Sequence, residues 1–419
     1  MTAPTDRGAP PGFLPTGDPA LDLSRSSFPA RLARPGTLTV LDITKYFGDA
    51  TGGIRTYLLA KAAYVAARAD LRQLLVIPGP HDGLGQAGHV RCYRLKGPRI
   101  PFDQSYRFLL ATRTTRRILE HERPDLIEVG SPWLVPWITR RANRRLAAPL
   151  AWFYHTHFPR IIDPLGTGGM RGRLAQAAWT YVRRLSRMFR GILAASESMA
   201  RELEQEGVGP VHRVALGVDL SCFHPDLRAG AAETRRRYGL PEAPLAMYVG
   251  RFTEEKQLDL LLTAWPAVER RTGAWLVLVG SGPREARLRA LADGKQVRFI
   301  PYVRDRHEVA RLLAAAELYL SPGPAESFGL SALEAMATAT PVLSVDAGAV
   351  ADRVRASGAG ALYAVNDAGA CAEAALTLLR GGGQALGQVA RGFAERHHAW
   401  EQAFDGIFAV YRALLAGGR

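Results

Sequence analysis

Cysteine is nearly absent from this chain: three in 419 residues, Cys92, Cys222 and Cys371, widely spaced and odd in number. That argues against a disulfide framework and a cysteine-based metal centre, and it fits a reducing, cytoplasmic setting. Long apolar runs are missing too, and none approaches the ~20 residues of a membrane-spanning helix. Residues 1–36, rich in Pro and Gly, lack the charged start and apolar block of a secretory signal, and are expected to be a disordered leader outside the fold. Acidic residues are outnumbered, 39 Asp and Glu against 54 Lys and Arg, and the net charge of +15 is carried almost wholly by Arg. Such a balance favours acidic partners, namely phosphates, anionic lipid or nucleic acid, although a bias towards Arg in composition would look the same. No Gly-x-Gly-x-x-Gly follows a strand with an acidic residue about twenty positions on, which argues against a nicotinamide-dependent oxidoreductase.

The length exceeds one ordinary core, so two domains of about 200 residues each are expected. Residues 38–44 form a short β-branched run that leads through a Gly-containing loop into a helical pattern over 54–68. Strand patterns follow at 74–77, 126–129, 150–154, 192–195 and 214–216, with helical spacing over 106–122 and a helix over 197–206 that Ser196 caps and Gly207 ends. A second series has strands at 245–249, 275–279, 297–300, 318–320 and 341–345, separated by helical patterns such as 258–271 and 309–316. This alternation implies an α/β protein with two Rossmann-like, doubly wound domains facing across a cleft. The expected divisions are a leader over 1–36, a first domain over 37–219, a linker over 220–243, a second domain over 244–385 and C-terminal helices over 386–419 that pack across the domains. Apolar residues Trp400, Phe404, Ile407, Phe408, Tyr411 and Leu414 predict an amphipathic final helix.

Chemistry concentrates in the second series. The run Gly250-Arg251-Phe252-Thr253-Glu254-Glu255-Lys256 follows its first strand directly, at the strand end where such sheets bind ligands. Arg251 and Lys256 can clamp a diphosphate there, or they are surface charges beside Glu254 and Glu255. After the strand at 318–320, Ser321-Pro322-Gly323 hands over to a helix expected to begin near Phe328, whose free N–H groups suit a phosphate. Glu326 in the loop and Glu334 about two turns along are expected to frame one site for a polyhydroxylated anion, a nucleotide attached to a sugar. The helix dipole alone would also favour a Glu at that position.

Gly250-Arg251 with Lys256, the turn Val279-Gly280-Ser281-Gly282-Pro283, and the run from Glu326 to Glu334 followed by Ala335-Met336-Ala337 resemble retaining glycosyltransferases of the GT-B fold, family four. Gly217-Val218-Asp219 with Phe223 and Pro225 resembles that family's interdomain segment. The resemblance implies that Arg251 and Lys256 bind the donor diphosphate, that Glu334 binds the ribose hydroxyls and that Glu326 contacts the transferred sugar. Amides around Phe328, Gly329 and Leu330 and the glycine turn at Gly280 would complete the phosphate site. It further implies that Gly52 and Gly53 lie beside donor and acceptor, and that His155 touches the sugar, His157 being the weaker choice. Gln257, Thr338, Thr340 and Asp346 depart from the usual pattern without removing a charge the diphosphate needs.

No Asp-x-Asp pair or Cys/His cluster is present, so metal-independent transfer with no cofactor beyond the nucleotide sugar is expected. Residues 51–57 and 153–156 look most like bacterial mannosyltransferases that build lipid-linked glycans, which makes GDP-mannose the first donor to test and a lipid or saccharide the acceptor. Basic segments at 112–117, 140–145 and 171–190 offer an anionic membrane surface a landing face at the cytoplasmic side, or are solvated faces of core helices. The alternative from another class is a non-catalytic basic protein binding membrane or nucleic acid through its Arg-rich face; no recognised nucleic-acid motif supports it, and no nucleic-acid partner is expected.

Overall fold

A computed structural model describes residues 10–15, 17–31, 36–48, 52–101, 103–162, 170–381 and 383–417. The chain divides into two compact units. The first comprises Met1–Ala195, Ala200–Val214 and Phe404–Arg419, the second Ser196–Met199 and Ala215–Ala403.

The first unit holds β1 (Leu38–Ile43), β2 (Leu71–Gly79), β3 (Gly83–Ala87), β4 (Val90–Lys96), the short pair β5 (Arg99–Ile100) and β6 (Asp103–Arg107), then β7 (Leu126–Val129), β8 (Leu150–Phe153), β9 (Gly191–Ala194) and β10 (Val211–Arg213). Its main sheet runs β10-β9-β8-β7-β1-β2-β4-β3, parallel except for β3 against β4. Strands buried on both faces need continuous apolar runs, and β2, β7, β8 and β9 are buried along their whole lengths. The chain moves outward from β1 through β2 and β4, then returns to place β7 on the other side of β1. The C-terminal ends of β1 and β7 are therefore a topological switch point.

The second unit holds β11 (Leu245–Val249), β12 (Trp275–Val279), β13 (Val297–Ile300), β14 (Leu318–Ser321), β15 (Val342–Val345) and β16 (Gly360–Tyr363), all parallel in the order β13-β12-β11-β14-β15-β16. Its switch point lies between β11 and β14. Leu261, Leu262, Trp265 and Val268 of the helix Leu258–Thr272 pack on this sheet beside Cys371, Ala375 and Leu376 of the helix Ala368–Arg380. Each such large buried side chain contributes about 1.5–3 kcal/mol.

Four expectations need correction. The helix expected from 106 starts at Thr112, because residues up to Arg107 pair as β6 with β5 and this pairing overrides helical spacing. The strand expected at 214–216 lies at Val211–Arg213, with only the Val214 amide continuing the ladder to Ala194 O. Residues 220–243, read as a linker, fold into a turn at Pro225–Gly230 and a helix at Ala231–Tyr238 that dock on the second unit. There Arg228 donates to Thr338 O and Ala339 O at 3.2 and 2.7 Å, and Arg235 to Ala315 O at 2.8 Å, satisfying carbonyls that helix ends leave open. The leader is packed in its described part: Phe13 and Leu23 are buried, the Leu23 amide donates to Asp82, and Arg117 donates to Leu23 O and Ser26 O. Residues 1–9 lie outside the described residues.

The final helix, Trp400–Ala416, forms as its apolar spacing predicts. From Phe404 onward it belongs to the first unit, where Phe404 and Phe408 pack on Tyr64.

Candidate active site

In the second unit, the loops after β11, β12 and β14 carry the predicted donor-site residues. Gly280 stands at φ +144°, and a Cβ there would lie 1.9 Å from Gly250 O, so the first two loops meet backbone to backbone. Arg251 follows Gly250 and is exposed, with its carbonyl accepting from the Tyr248 hydroxyl at 3.0 Å. Lys256 extends its ammonium to the Glu326 carboxylate, which arrives from the loop after β14. Lys256 and Glu326 thus meet across the switch point, half-buried, each with a side chain 20% exposed.

The helix expected from Phe328 begins at Leu330 and runs to Ala337, because Gly329 adopts the left-handed conformation at φ +72°. A Cβ at Gly329 would lie 2.2 Å from Val350 Cγ2, so both conformation and packing require glycine. No side chain caps this helix, whose first-turn N–H groups lack intrahelical partners. The buried Arg353 fixes the segment from the opposite polarity, donating to Phe328 O at 2.8 Å and Gly329 O at 3.2 Å with its guanidinium 4.4 Å from the Phe328 ring centre. Burial pulls Arg353 down to about 10, which leaves it charged at neutral pH. The Tyr319 hydroxyl of β14 donates to Ser331 Oγ at 2.8 Å and ties the first turn to the sheet.

Glu334 is 5% exposed, and its Oε1 lies 2.8 Å from Arg306. Burial holds its carboxyl above the ordinary value against the pull of Arg306. Glu326 thus pairs with Lys256, and Glu334 with Arg306. Arg306 was missed from sequence. Its signal was the position, just past Asp305, which caps the helix Arg306–Ala314 after β13.

In the first unit, Gly52 precedes the helix Gly53–Ala66 in extended conformation, with no side-chain cap. Among the described residues a Cβ at Gly53 would meet nothing within 4 Å, and one at Gly52 only the Tyr106 hydroxyl at 3.6 Å. His155 follows β8 with its ring stacked on Phe153 at 3.9 Å between centres and 6° between planes. Burial, reinforced by the Lys61 ammonium, pulls its imidazole down to about 3, so it is neutral at physiological pH. Asp42, Ile43, Thr44, Glu128, Gly130 and His155 line one narrow crevice at the switch point. His157 has a different task. Its Nδ1 accepts from the Arg160 amide at 3.2 Å and its Nε2 faces Glu202 at 2.9 Å, which orders the short helix Phe158–Ile162.

Beneath His155 lies a buried polar network that sequence reading missed. Lys61 Nζ donates to Asp42 Oδ1 at 2.6 Å and to the Tyr411 hydroxyl at 2.8 Å, and stands 3.4 Å from Glu128 Oε2. Gln73 donates to Asp42 Oδ2 at 2.6 Å, and the Tyr57 and Tyr411 hydroxyls both donate to Glu128. One ammonium thus serves two carboxylates. Burial pushes Glu128 up to about 7, Lys61 pulling it back and Asp42 adding to the rise. The available signal was an ionisable residue in an otherwise apolar stripe, at Asp42, Lys61 and Glu128 alike.

Comparison with known proteins accords with this geometry. Residues 51–221 match the family described as Glycosyltransferase Family 4, and residues 243–381 match Glycosyl transferases group 1. A GDP-mannose-dependent alpha-(1-6)-phosphatidylinositol dimannoside mannosyltransferase of Mycobacterium tuberculosis is 31% identical over 80% of this chain and 84% of its own length. Among solved structures, sucrose-phosphate synthase from Thermosynechococcus elongatus superposes with a TM-score of 0.73 at 20% identity, over 91% of this chain and 100% of that one. HepE of Anabaena with UDP and glucose gives 0.67 at 16% identity, over 90% and 99%. The non-catalytic alternative finds no support in these likenesses. With cations and an open helix start at one switch point, and both halves matched by family models, the chain belongs to glycosyltransferase family 4 and is a glycosyltransferase of GT-B fold.

Proposed function

We propose that this glycosyltransferase moves mannose from GDP-mannose to a lipid-linked or glycan acceptor with retention of configuration and without a metal. The observation that carries the reading is the meeting of Lys256 and Glu326 at the second unit's switch point, beside Arg251 and the uncapped helix start at Leu330. Loss of a nucleoside diphosphate leaves negative charge on phosphate oxygens while the sugar becomes oxocarbenium-like. Arg251, Lys256 and the helix N–H groups are the stabilisers assigned to that charge. The leaving phosphate accepts the acceptor's proton, Glu334 holds the ribose hydroxyls, Glu326 contacts the sugar, and the neutral His155 offers it a hydrogen bond. The GDP-mannose dependence of the mycobacterial relative supports this choice of donor.

Thermal-shift titration with GDP, UDP, ADP and their sugar conjugates tests the donor. GDP and GDP-mannose should raise the melting temperature selectively, and Arg251→Ala should abolish the rise. A selective response to UDP or ADP would replace the donor, and no response to any of them would remove the nucleotide-sugar reading.

Peripheral contact with an anionic membrane at its cytoplasmic face belongs to the same reading. Between residues 129 and 196 the sequence has eleven Arg and a single acidic residue, Asp163. Trp137, Arg140, Arg184, Arg187 and Met188 line a groove of about 510 Å³ on the helices Leu134–Ala142 and Met170–Ser186 and the residues after them. No helix among the described residues is long and apolar enough to cross a membrane. The protein should pellet with phosphatidylglycerol vesicles but not with phosphatidylcholine vesicles, and lose binding on Arg140→Glu/Arg184→Glu/Arg187→Glu or in high salt. Equal pelleting of parent and triple variant would discard this surface.

A further inference from the structure

His155 is held by rings rather than by hydrogen bonds. Among the described residues nothing hydrogen-bonds its imidazole nitrogens, and only its backbone amide is engaged, with Phe153 O at 2.9 Å. The imidazole lies flat on Phe153, and Tyr57 closes the side, its ring centre 5.3 Å from that of His155 and 5.0 Å from that of Phe153. Gly130 leaves the remaining side open to close approach, since a Cβ there would lie 3.5 Å from His155 Cδ2. Stacking alone leaves an imidazole free to slide and turn. What immobilises Tyr57 is its hydroxyl, which donates to Glu128 Oε2 at 3.1 Å, and Glu128 is itself gripped by the Tyr411 hydroxyl and neighboured by Lys61. Tyr57, Lys61 and Tyr411 have no exposed surface and do not line the crevice, so their action on the reaction must pass through another group.

We infer that Tyr57 is a positioning residue for His155: its ring is the wall that sets the imidazole's orientation, and the Glu128–Lys61–Tyr411 cluster fixes that wall through the Tyr57 hydroxyl. The inference rests on the proposed role of His155 in sugar contact. It explains why ionisable groups are retained in the interior, where an apolar cluster of the same volume would cost less. The order it imposes also passes to the final helix through Tyr411, 283 positions from Glu128 in sequence.

The test separates position from chemistry. In the histidine-labelled full chain, the His155 ring protons should be shifted upfield by the Phe153 ring, and His155→Gln identifies the signal by removing it. Tyr57→Phe, which keeps the ring and loses the hydroxyl, should move or broaden that signal. Tyr57→Leu, which loses the wall, should move it further. With the nucleotide sugar that stabilises the protein, Tyr57→Phe should lower kcat for nucleotide release about tenfold and leave the donor KM near its parent value. An unmoved His155 signal in both folded variants would overturn the inference. A moved signal with unchanged kcat would leave the positioning intact and overturn the role assigned to His155.

Discussion

Lys256→Ala is expected to lower kcat/KM for sugar transfer by about two to three orders of magnitude, because a preorganised charge aimed at the leaving group is worth that much in a site shielded from water. The arrangement makes the loss double. Lys256 is the partner of Glu326, so on the proposed role its removal withdraws the cation assigned to the diphosphate and leaves an uncompensated carboxylate facing the same anion. Binding of GDP should weaken by about 10- to 100-fold, the range for losing one charge-assisted contact. Stability should hardly change. The pair is 20% exposed on each side and tethers loops rather than core, so its removal costs at most about 1 kcal/mol. Circular dichroism melts together with steady-state kinetics separate the two effects. A variant that melts with the parent and turns over within a factor of about two would remove Lys256 from the donor site.

Much of the second unit was legible because parallel strands buried on both faces read as short apolar runs, with loops at their C-terminal ends where such sheets bind ligands. β11 and β12 fall at the expected residues, while the close backbone approach of Gly280 to Gly250 that makes glycine necessary there was not read from composition. The phase of the helix after β14 was not legible, since a left-handed Gly329, which its conformation and its contact with Val350 both require, postpones the start to Leu330. Pairings of side chains distant in sequence were hidden as well. Arg306 lies 28 positions from Glu334, and Lys61 lies 350 from Tyr411. The charge at each position was visible, but its partner depends on how strands order themselves in the sheet. A Pro- and Gly-rich composition concealed the leader's anchors for a related reason, because its few apolar residues, Phe13 and Leu23 among them, dock a segment whose backbone finds partners at Asp82 and Arg117.

Lys61→Met should be the most damaging substitution to the fold of the first unit, costing about 3–5 kcal/mol, because it strips the ammonium from Asp42 and Glu128 while both stay buried. The pH profile of stability identifies the cause. Glu128 has an ordinary carboxyl value of 4.5 and is raised to about 7 in the folded protein. Below 4.5 it is protonated in both states, and its contribution to stability is fully present. As pH rises from 4.5 the unfolded chain ionises first and the folded one holds its proton, so stability falls until the folded group has also ionised above about 7. The parent's melting temperature should therefore carry a downward component across that window. Glu128→Gln, which cannot ionise, should lack it and gain on the parent as pH increases. Lys61→Met should show a steeper fall than the parent, since no ammonium then offsets the second negative charge. Melting temperatures of parent, Glu128→Gln and Lys61→Met from about pH 5 to about pH 8 decide the matter. Parallel curves would mean that Glu128 stays ionised across this range, with the Tyr57 hydroxyl donating to a permanent carboxylate.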